Sequence, residues 1–459
     1  MGKRGRGEKV EAGLSGLRAR VFPLLIILPL LLLLFSPFTL FPFSPFTLSQ
    51  ATTRADTFVS TETREGRLAV FDDVWETIRD RYYDGSFNGL DWEMERSRFR
   101  PLAAEAKNSV EFYSILRRMV GSLRDAHTRV YAPEEKFDWQ HPRVVTTGVN
   151  VREVAGQPVV VQIERGSEAE RAGLRTGDII TSVDDVPALD LFKRRLLDVT
   201  GASTAQAARV RAMAGLLGGP AASMVKIGWR GSDGRERFAM LSRELRDRTA
   251  KLVVEKSRGD FFVVRFDAFT QRVALDFLRA LQNRLRSARG LVLDLRNNGG
   301  GDSEAMTDVA SVFLSPRTRL GRFTDRTGRV VVEPETRRAM VMAAETIARF
   351  DGSLVILTSE RTASAAEIFV ASIKEARRAT LIGTGTCGCV LAIRRRHLLP
   401  DGGELDVSEM DYRTSTGIRL EGAGVAPDET ITLDLTDLRT GRDRALERAL
   451  ERLKAQNSE

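Results

Sequence analysis

The stretch Ser353-Leu354-Val355-Ile356-Leu357-Thr358-Ser359-Glu360-Arg361-Thr362-Ala363-Ser364-Ala365-Ala366-Glu367-Ile368-Phe369-Val370-Ala371-Ser372 decides how this chain is read. Its first six residues are a short apolar run of the kind that makes a buried strand. From Ile368 onward apolar residues recur at helical spacing. Ser364 therefore falls on a strand-to-helix turn. A hydroxyl is exposed there, and the N–H groups of a helix N-terminus point at whatever that hydroxyl attacks. A serine at the same place also serves as an ordinary helix cap, and this stretch alone does not separate the two readings.

Upstream, strands and helices alternate. Phe261 to Phe266 reads as a strand and Val273 to Leu285 as a helix. Gly290-Leu291-Val292-Leu293-Asp294-Leu295 reads as a buried strand that runs into Arg296-Asn297-Asn298-Gly299-Gly300-Gly301-Asp302, and Met306 to Phe313 as a further helix. Such alternation argues for an α/β layer. The glycine run alone fits a plain turn, a phosphate cradle, or a backbone N–H brought close to an oxyanion. It lacks the Gly-Lys-Ser/Thr of a P-loop and the spacing of a dinucleotide fingerprint.

Residues 142–248 form a different unit. Gly148-Val149-Asn150-Val151 and Pro158-Val159-Val160-Val161-Gln162-Ile163 read as strands. Ala172-Gly173-Leu174, Gly177-Asp178-Ile179-Ile180 and Val183-Asp184 follow in order. This run resembles the PDZ domains of bacterial proteases, which bind an extended peptide end by adding it as a strand to a sheet edge. Residues 190–222 exceed what a minimal PDZ domain needs and read as a helical insertion. Before this unit the pattern is helical. Val70, Val74, Ile78 and Tyr82 share one face, and Leu102 to Leu123 reads as two amphipathic helices, the second capped by Asn108 or Ser109. This block ends in Asp125-Ala126-His127-Thr128. The chain has three histidines, His127, His141 and His397, and a lone histidine is more often structural than catalytic.

The chain's 459 residues suffice for two or three domains. Hydrophobic content of 42% and charged content of 29% allow a sizeable core. Of the net charge of +8, half lies in residues 1–20, and the rest is spread thinly apart from Arg394-Arg395-Arg396. That distribution argues against a nucleic-acid partner. No charge occurs between Arg20 and Arg54, and Val21 to Leu34 is almost all Leu, Ile, Val and Phe. A basic flank before such a run reads as a signal-anchor or a signal peptide. Without a clear small-x-small cleavage site, the expectation is a retained membrane anchor over 21–50, with residues 1–20 cytoplasmic and the remainder beyond the membrane. Cys387 and Cys389 stand two residues apart, a spacing poorly placed for an ordinary disulfide.

Together these pieces resemble one family, the C-terminal processing or tail-specific serine proteases of the S41 type. The resemblance spans roughly residues 67–440. It rests on Asp125 to Thr128, the PDZ run, Asp294 to Gly301, Thr362 to Glu367, Gly383-Thr384-Gly385-Thr386-Cys387-Gly388, and Glu421-Gly422-Ala423-Gly424-Val425-Ala426-Pro427-Asp428. It implies an α/β protease core of ClpP/crotonase-like layers over 251–440 and a C-terminal helix over 441–459. An N-terminal helical region over 51–135 and a PDZ domain inserted at 140–250 precede the core. It implies Ser364 as nucleophile, the N–H groups of Gly300 and Ala365 as oxyanion hole, and a carboxylate-holding loop at Gly148 and Val149. No metal or organic cofactor is implied. The implied partner is a protein substrate with an exposed C-terminal tail.

One departure matters. Many members pair the serine with a lysine, and Cys389 stands at that lysine's position, where a thiol is no substitute for an amine base. Three accounts follow. In the first, His127 is the base and Glu421 orients it, as in the tricorn-like branch. In the second, the chain has lost catalysis and is a membrane-tethered peptide-binding module. In the third, Cys389 is a redox or modification site beside Cys387; a Cys-x-Cys pair alone is too sparse for a metal.

Overall fold

The computed structural model describes residues 58–135, 142–199, 201–257, 259–342 and 345–457. The anchor expected over 21–50, its basic tail and His141 lie outside these residues. Among the described residues no helix is long and apolar enough to cross a membrane.

The described residues begin with three helices, α1 (Arg64–Arg81), α2 (Trp92–Ala104) and α3 (Ser109–Gly121). Val70, Val74, Ile78 and Tyr82 are all buried along α1, as their spacing requires. The Asn108 side chain caps α3 by accepting the Glu111 N–H at 2.9 Å. The helix before it begins at Trp92 rather than near Leu102. Asp91 caps it there by accepting the Met94 N–H at 2.9 Å, and its buried stripe is Trp92, Phe99 and Ala103 while Leu102 faces out.

The second unit is a sheet of β1 (Val149–Val154), β2 (Gln157–Ile163), β3 (Ile179–Val183), β4 (Met224–Arg230) and β5 (Glu236–Ser242), paired in that order. The expected insertion comprises α4 (Ala188–Asp198) and α5 (Ala205–Ala214). Helix α5 packs on β1, the sheet's edge strand, and Arg209 Nε donates to Glu153 at 2.8 Å across that seam.

The third unit carries the layered core. Strands β6 (Val253–Lys256), β7 (Phe261–Arg265), β8 (Gly290–Asp294), β9 (Ser353–Thr358) and β10 (Thr380–Gly383) lie side by side, with a short last strand at Glu429–Thr430. All neighbours from β7 onward run parallel. Each central strand is apolar on both faces, as a sheet covered on both sides demands. Leu291, Leu293, Leu354, Ile356 and Leu381 face the layer of α6 (Gln271–Gln282), α7 (Ser303–Phe313) and α8 (Ala365–Glu375). Val292, Val355, Leu357 and Ile382 face α9 (Arg444–Gln456) through Ala445, Ala449 and Leu453. The loops leaving the carboxyl ends of β8, β9 and β10 therefore converge on one rim, where open α/β sheets place their ligands.

Candidate active site

Ser364 sits where β9 hands over to α8, in a backbone conformation of φ 56° and ψ −126°. That region disfavours any residue with a Cβ, and a strained turn of this kind lifts a serine hydroxyl clear of the sheet. The strain is held by stitches to both neighbouring loops. The Ala363 N–H donates to Asn298 O at 3.0 Å, and Thr362 Oγ1 donates to Leu295 O at 2.8 Å. The Cys387 N–H donates to Thr362 O at 3.0 Å, and the Ser364 N–H to Cys389 O at 3.0 Å. Ser364 is half-buried and is also the N-cap of α8, where it forms a capping box with Glu367, whose carboxylate accepts the Ser364 N–H at 3.2 Å.

Gly300 approaches this turn more closely than any other residue type can. It sits at φ +96°, and a Cβ there would lie 2.7 Å from Ser364 Cβ and 2.9 Å from the Ala365 nitrogen. The Ala365 N–H, first of α8, has no partner among the described residues and is free to meet an anion. The Gly300 N–H is differently placed: it donates to Asn298 Oδ1 at 2.9 Å. In this conformation the loop thus presents Ala365 as an oxyanion donor and holds the Gly300 donor in a local turn.

Beneath the serine lies Glu367, a residue the sequence motif contained but to which no role was given. It is fully buried on α8. Its Oε1 accepts from Thr386 Oγ1 and from the Gly388 N–H at 2.7 Å, and its Oε2 from the Cys389 N–H at 2.8 Å and the Ser364 N–H at 3.2 Å. Burial pushes this carboxyl up against the pull of those donors. One acidic residue in the otherwise apolar run Ala365 to Ala371 was the available signal.

Cys387 and Cys389 are joined by a disulfide, which corrects the expectation that their spacing keeps them apart. Two extended residues would span about 7 Å. Gly388 sits at φ +72°, folds the chain back, and brings the two Cα atoms to 5.3 Å, within the ordinary range for a bridge. The Cys389 sulfur is consequently neither a thiol nor a base.

His127 lies in the turn after α3. Its N–H donates to Asp125 Oδ1 at 2.8 Å. Its ring Nδ1 is buried with no hydrogen-bond partner. Burial pushes the imidazole down to about 4, with Asp125 pulling upward and Arg129 and Arg211 pushing further down. Glu421 is engaged elsewhere. Its Oε2 accepts the Val390 N–H at 2.7 Å and the Leu391 N–H at 3.2 Å. Burial pushes its carboxyl up to about 7, opposed by the Ser203 hydroxyl and the Val390 N–H. Ser203 and Arg211 belong to the inserted region and also hold the Ala126 backbone, at 3.2 and 3.0 Å. The structure thus brings Ser364, Ala365, Gly300 and Cys389 together, while no hydrogen bond joins His127 to Ser364 or to Glu421.

The PDZ-like unit is fastened to the nucleophile loop: Arg152 of β1 pairs with Glu360, and Arg361 Nη1 donates to Asn150 Oδ1 at 3.2 Å. Gly148, at φ +74°, and Val149 open β1, with the Gly148 carbonyl accepting the Glu164 N–H at 2.8 Å.

Comparison with known proteins supports one family. Residues 260–431 match the model of peptidase family S41, residues 64–121 that of the tricorn protease C1 domain, and residues 159–202 that of a PDZ domain. These matches support a C-terminal-processing peptidase of the S41 type with a PDZ domain. The chain is 29% identical over 372 residues to the carboxyl-terminal-processing protease of Synechocystis, covering 78% of this chain and 79% of that protein. It is 26% identical over 392 residues to the chloroplastic carboxyl-terminal-processing peptidase 1 of Arabidopsis thaliana, covering 82% and 74%. Its fold matches that of a photosystem II D1 C-terminal processing protease (TM-score 0.52, 24% identity, 80% of this chain and 93% of that one). It also matches that of mature CPAF complexed with lactacystin (TM-score 0.64, 13% identity, 85% and 98%). The comparisons support a serine peptidase, and Ser364 stands on the turn that the S41 resemblance marks for the nucleophile.

Proposed function

We propose that this chain is an endopeptidase that cuts proteins at exposed C-terminal tails. It would work beyond a membrane to which residues 21–50 hold it, with Ser364 as nucleophile, His127 as base and Glu421 as the group that orients His127. The observation that carries the reading is the strained Ser364 turn, with the unpartnered Ala365 N–H on one side and Gly300 packed against the other. The names of the relatives, and a PDZ unit fastened to the nucleophile loop, support the choice of C-terminal tails.

The chemistry is acyl transfer. Ser364 Oγ attacks the scissile carbonyl, its proton passes to His127, and the developing oxyanion is met by the Ala365 N–H. His127 returns the proton to the leaving amine, and water then releases the acyl group. Catalytic hydrogen bonds often tighten only once substrate is bound, and this mechanism asks for two such movements. His127 must reach Ser364, and the Gly300 N–H must exchange Asn298 for the oxyanion. The neutral imidazole that burial favours is the form a base requires.

The test is labelling of the detergent-solubilised full chain with a fluorophosphonate probe, beside Ser364→Ala and His127→Ala. Labelling that needs both residues, with cleavage of a protein bearing an apolar C-terminal tail, supports the reading. Labelling that survives Ser364→Ala sinks it.

A further inference from the structure

The Cys387–Cys389 bridge is the only place where this chain carries sulfur able to exchange, since it has two cysteines, and it lies at the crossing point of the site. The Cys389 carbonyl holds the Ser364 N–H, and the Gly388 and Cys389 N–H groups hold Glu367, which also takes the Ser364 N–H. The next two residues, Val390 and Leu391, give their N–H groups to Glu421. From the inserted region, Thr204 Oγ1 donates to the Cys387 carbonyl at 3.1 Å. Ala126, next to His127, packs against Cys389 together with Ala207. One small loop therefore touches all three residues of the proposed triad or their immediate neighbours.

The two cysteines differ in exposure: Cys389 is 3% exposed, whereas Cys387 is half-buried. Thiol–disulfide exchange requires an attacking thiolate to reach one sulfur and expel the other, and Cys387 is the residue that a thiolate from outside meets first.

We propose that Cys387–Cys389 is a thiol–disulfide exchange site for an external dithiol, and that its oxidised form is what keeps the Ser364 loop in order. A thiolate of the dithiol attacks Cys387 Sγ, the S–S bond breaks, and Cys389 Sγ leaves with the electron pair and takes a proton from solvent. The second thiol of the reductant then attacks the mixed disulfide. The reductant departs as its own disulfide, and Cys387 takes the second proton. Two electrons and two protons pass to the pair. Opening the bridge releases the Gly388 fold that aims the Cys389 carbonyl at Ser364, and a nucleophile misplaced by an ångström loses rate steeply. Bridges persist in oxidising compartments, so the ordered state belongs to the far side of the membrane. The consequence for turnover rests on the reading of Ser364 as nucleophile; the exchange itself does not.

The experiment uses the full chain in detergent under native conditions, with three readouts. Excess dithiothreitol followed by N-ethylmaleimide should alkylate both cysteines while far-UV circular dichroism is unchanged, and a monothiol, glutathione, should leave its adduct on Cys387. Thiols that appear only after denaturation, or an adduct confined to Cys389, overturn the proposal. Hydrogen exchange of peptides spanning 361–369 and 384–391 should quicken on reduction; unchanged exchange also overturns it. Fluorophosphonate labelling should slow by about tenfold or more on reduction, and the double variant Cys387→Ser/Cys389→Ser should match the reduced chain and ignore dithiothreitol. Labelling as fast in the reduced chain as in the oxidised one removes the claim of control. If neither state labels, the peptidase reading falls, while the first two readouts still decide the exchange site.

Discussion

The site has two halves, and they are built differently. The serine half is held by main-chain bonds between three loops on the rim of a parallel sheet and by one buried carboxylate, Glu367, which gathers the Ser364, Gly388 and Cys389 N–H groups. The histidine half is held by side chains. His127 depends on the Asp125 turn, and Glu421 on the Val390 and Leu391 N–H groups and on Ser203 from the inserted region. The difference teaches that the nucleophile is preorganised by the fold itself, whereas base and orienter must be brought to it. Substitutions in the first half should act on the chemistry or on folding outright, and those in the second on how readily the site assembles.

Ser364→Ala gives the largest effect, a loss of turnover of at least about 10⁴-fold, because no second nucleophile shares the turn. Single-turnover cleavage of a tailed protein measures it, and binding of the tail should survive. His127→Ala comes next, at about 10²–10⁴-fold, the usual contribution of a positioned base. With a folded value of about 4, His127 stays neutral well below the ordinary histidine range. Labelling by the fluorophosphonate should therefore persist at pH 5.5, where an unshifted imidazole of about 6.5 would be mostly protonated. A fall in rate between pH 7 and 6 that persists in Glu421→Gln would show that His127 itself titrates there, whereas one abolished by Glu421→Gln traces to the Glu421 carboxyl, which burial raises to about 7.

The same contrast explains what the amino-acid sequence made legible. Strand β9 and helix α8 follow from apolar spacing, and a serine between them can occupy only the turn. Gly300 was legible only through the family resemblance, because the glycine run alone fits a plain turn, a phosphate cradle or an oxyanion approach. The relation of His127 to Glu421 has no comparable local signal: it is set by rotamers, and by Ser203 and Arg211 in an insertion whose packing no periodicity encodes. The disulfide was missed because residue spacing was taken as distance. Gly388, with its positive φ, is what shortens the path. The start of helix α2 has its signal in Asp91, whose side chain caps it, and the reading from Leu102 gave that residue no role.

One substitution, made once in each half, sharpens the comparison further. In Glu367→Gln, both carboxylate oxygens already accept backbone N–H groups. The new NH₂ must therefore face a donor whichever way the amide turns, at a cost of about 3–5 kcal/mol in a urea unfolding experiment. In Glu421→Gln the bonds from the Val390 and Leu391 N–H groups both go to one oxygen, Oε2, which the amide oxygen can replace, and the neighbouring Ser203 hydroxyl can rotate to suit the amide. The amide mimics the protonated acid, so at pH 5 the cost should stay below about 1 kcal/mol. The sign then changes with pH. The folded carboxyl is raised to about 7 from an ordinary 4.5, so between those values the folded chain keeps a proton that the unfolded chain has given up. Stability from this group is full below about 4.5 and is lost as pH rises through 7, by up to about 3 kcal/mol. Glu421→Gln lacks that loss. The difference in unfolding free energy between variant and parent should therefore move in the variant's favour from pH 5 to pH 8. A difference that is flat with pH would mean that Glu421 is charged throughout this range and that burial does not raise its folded carboxyl.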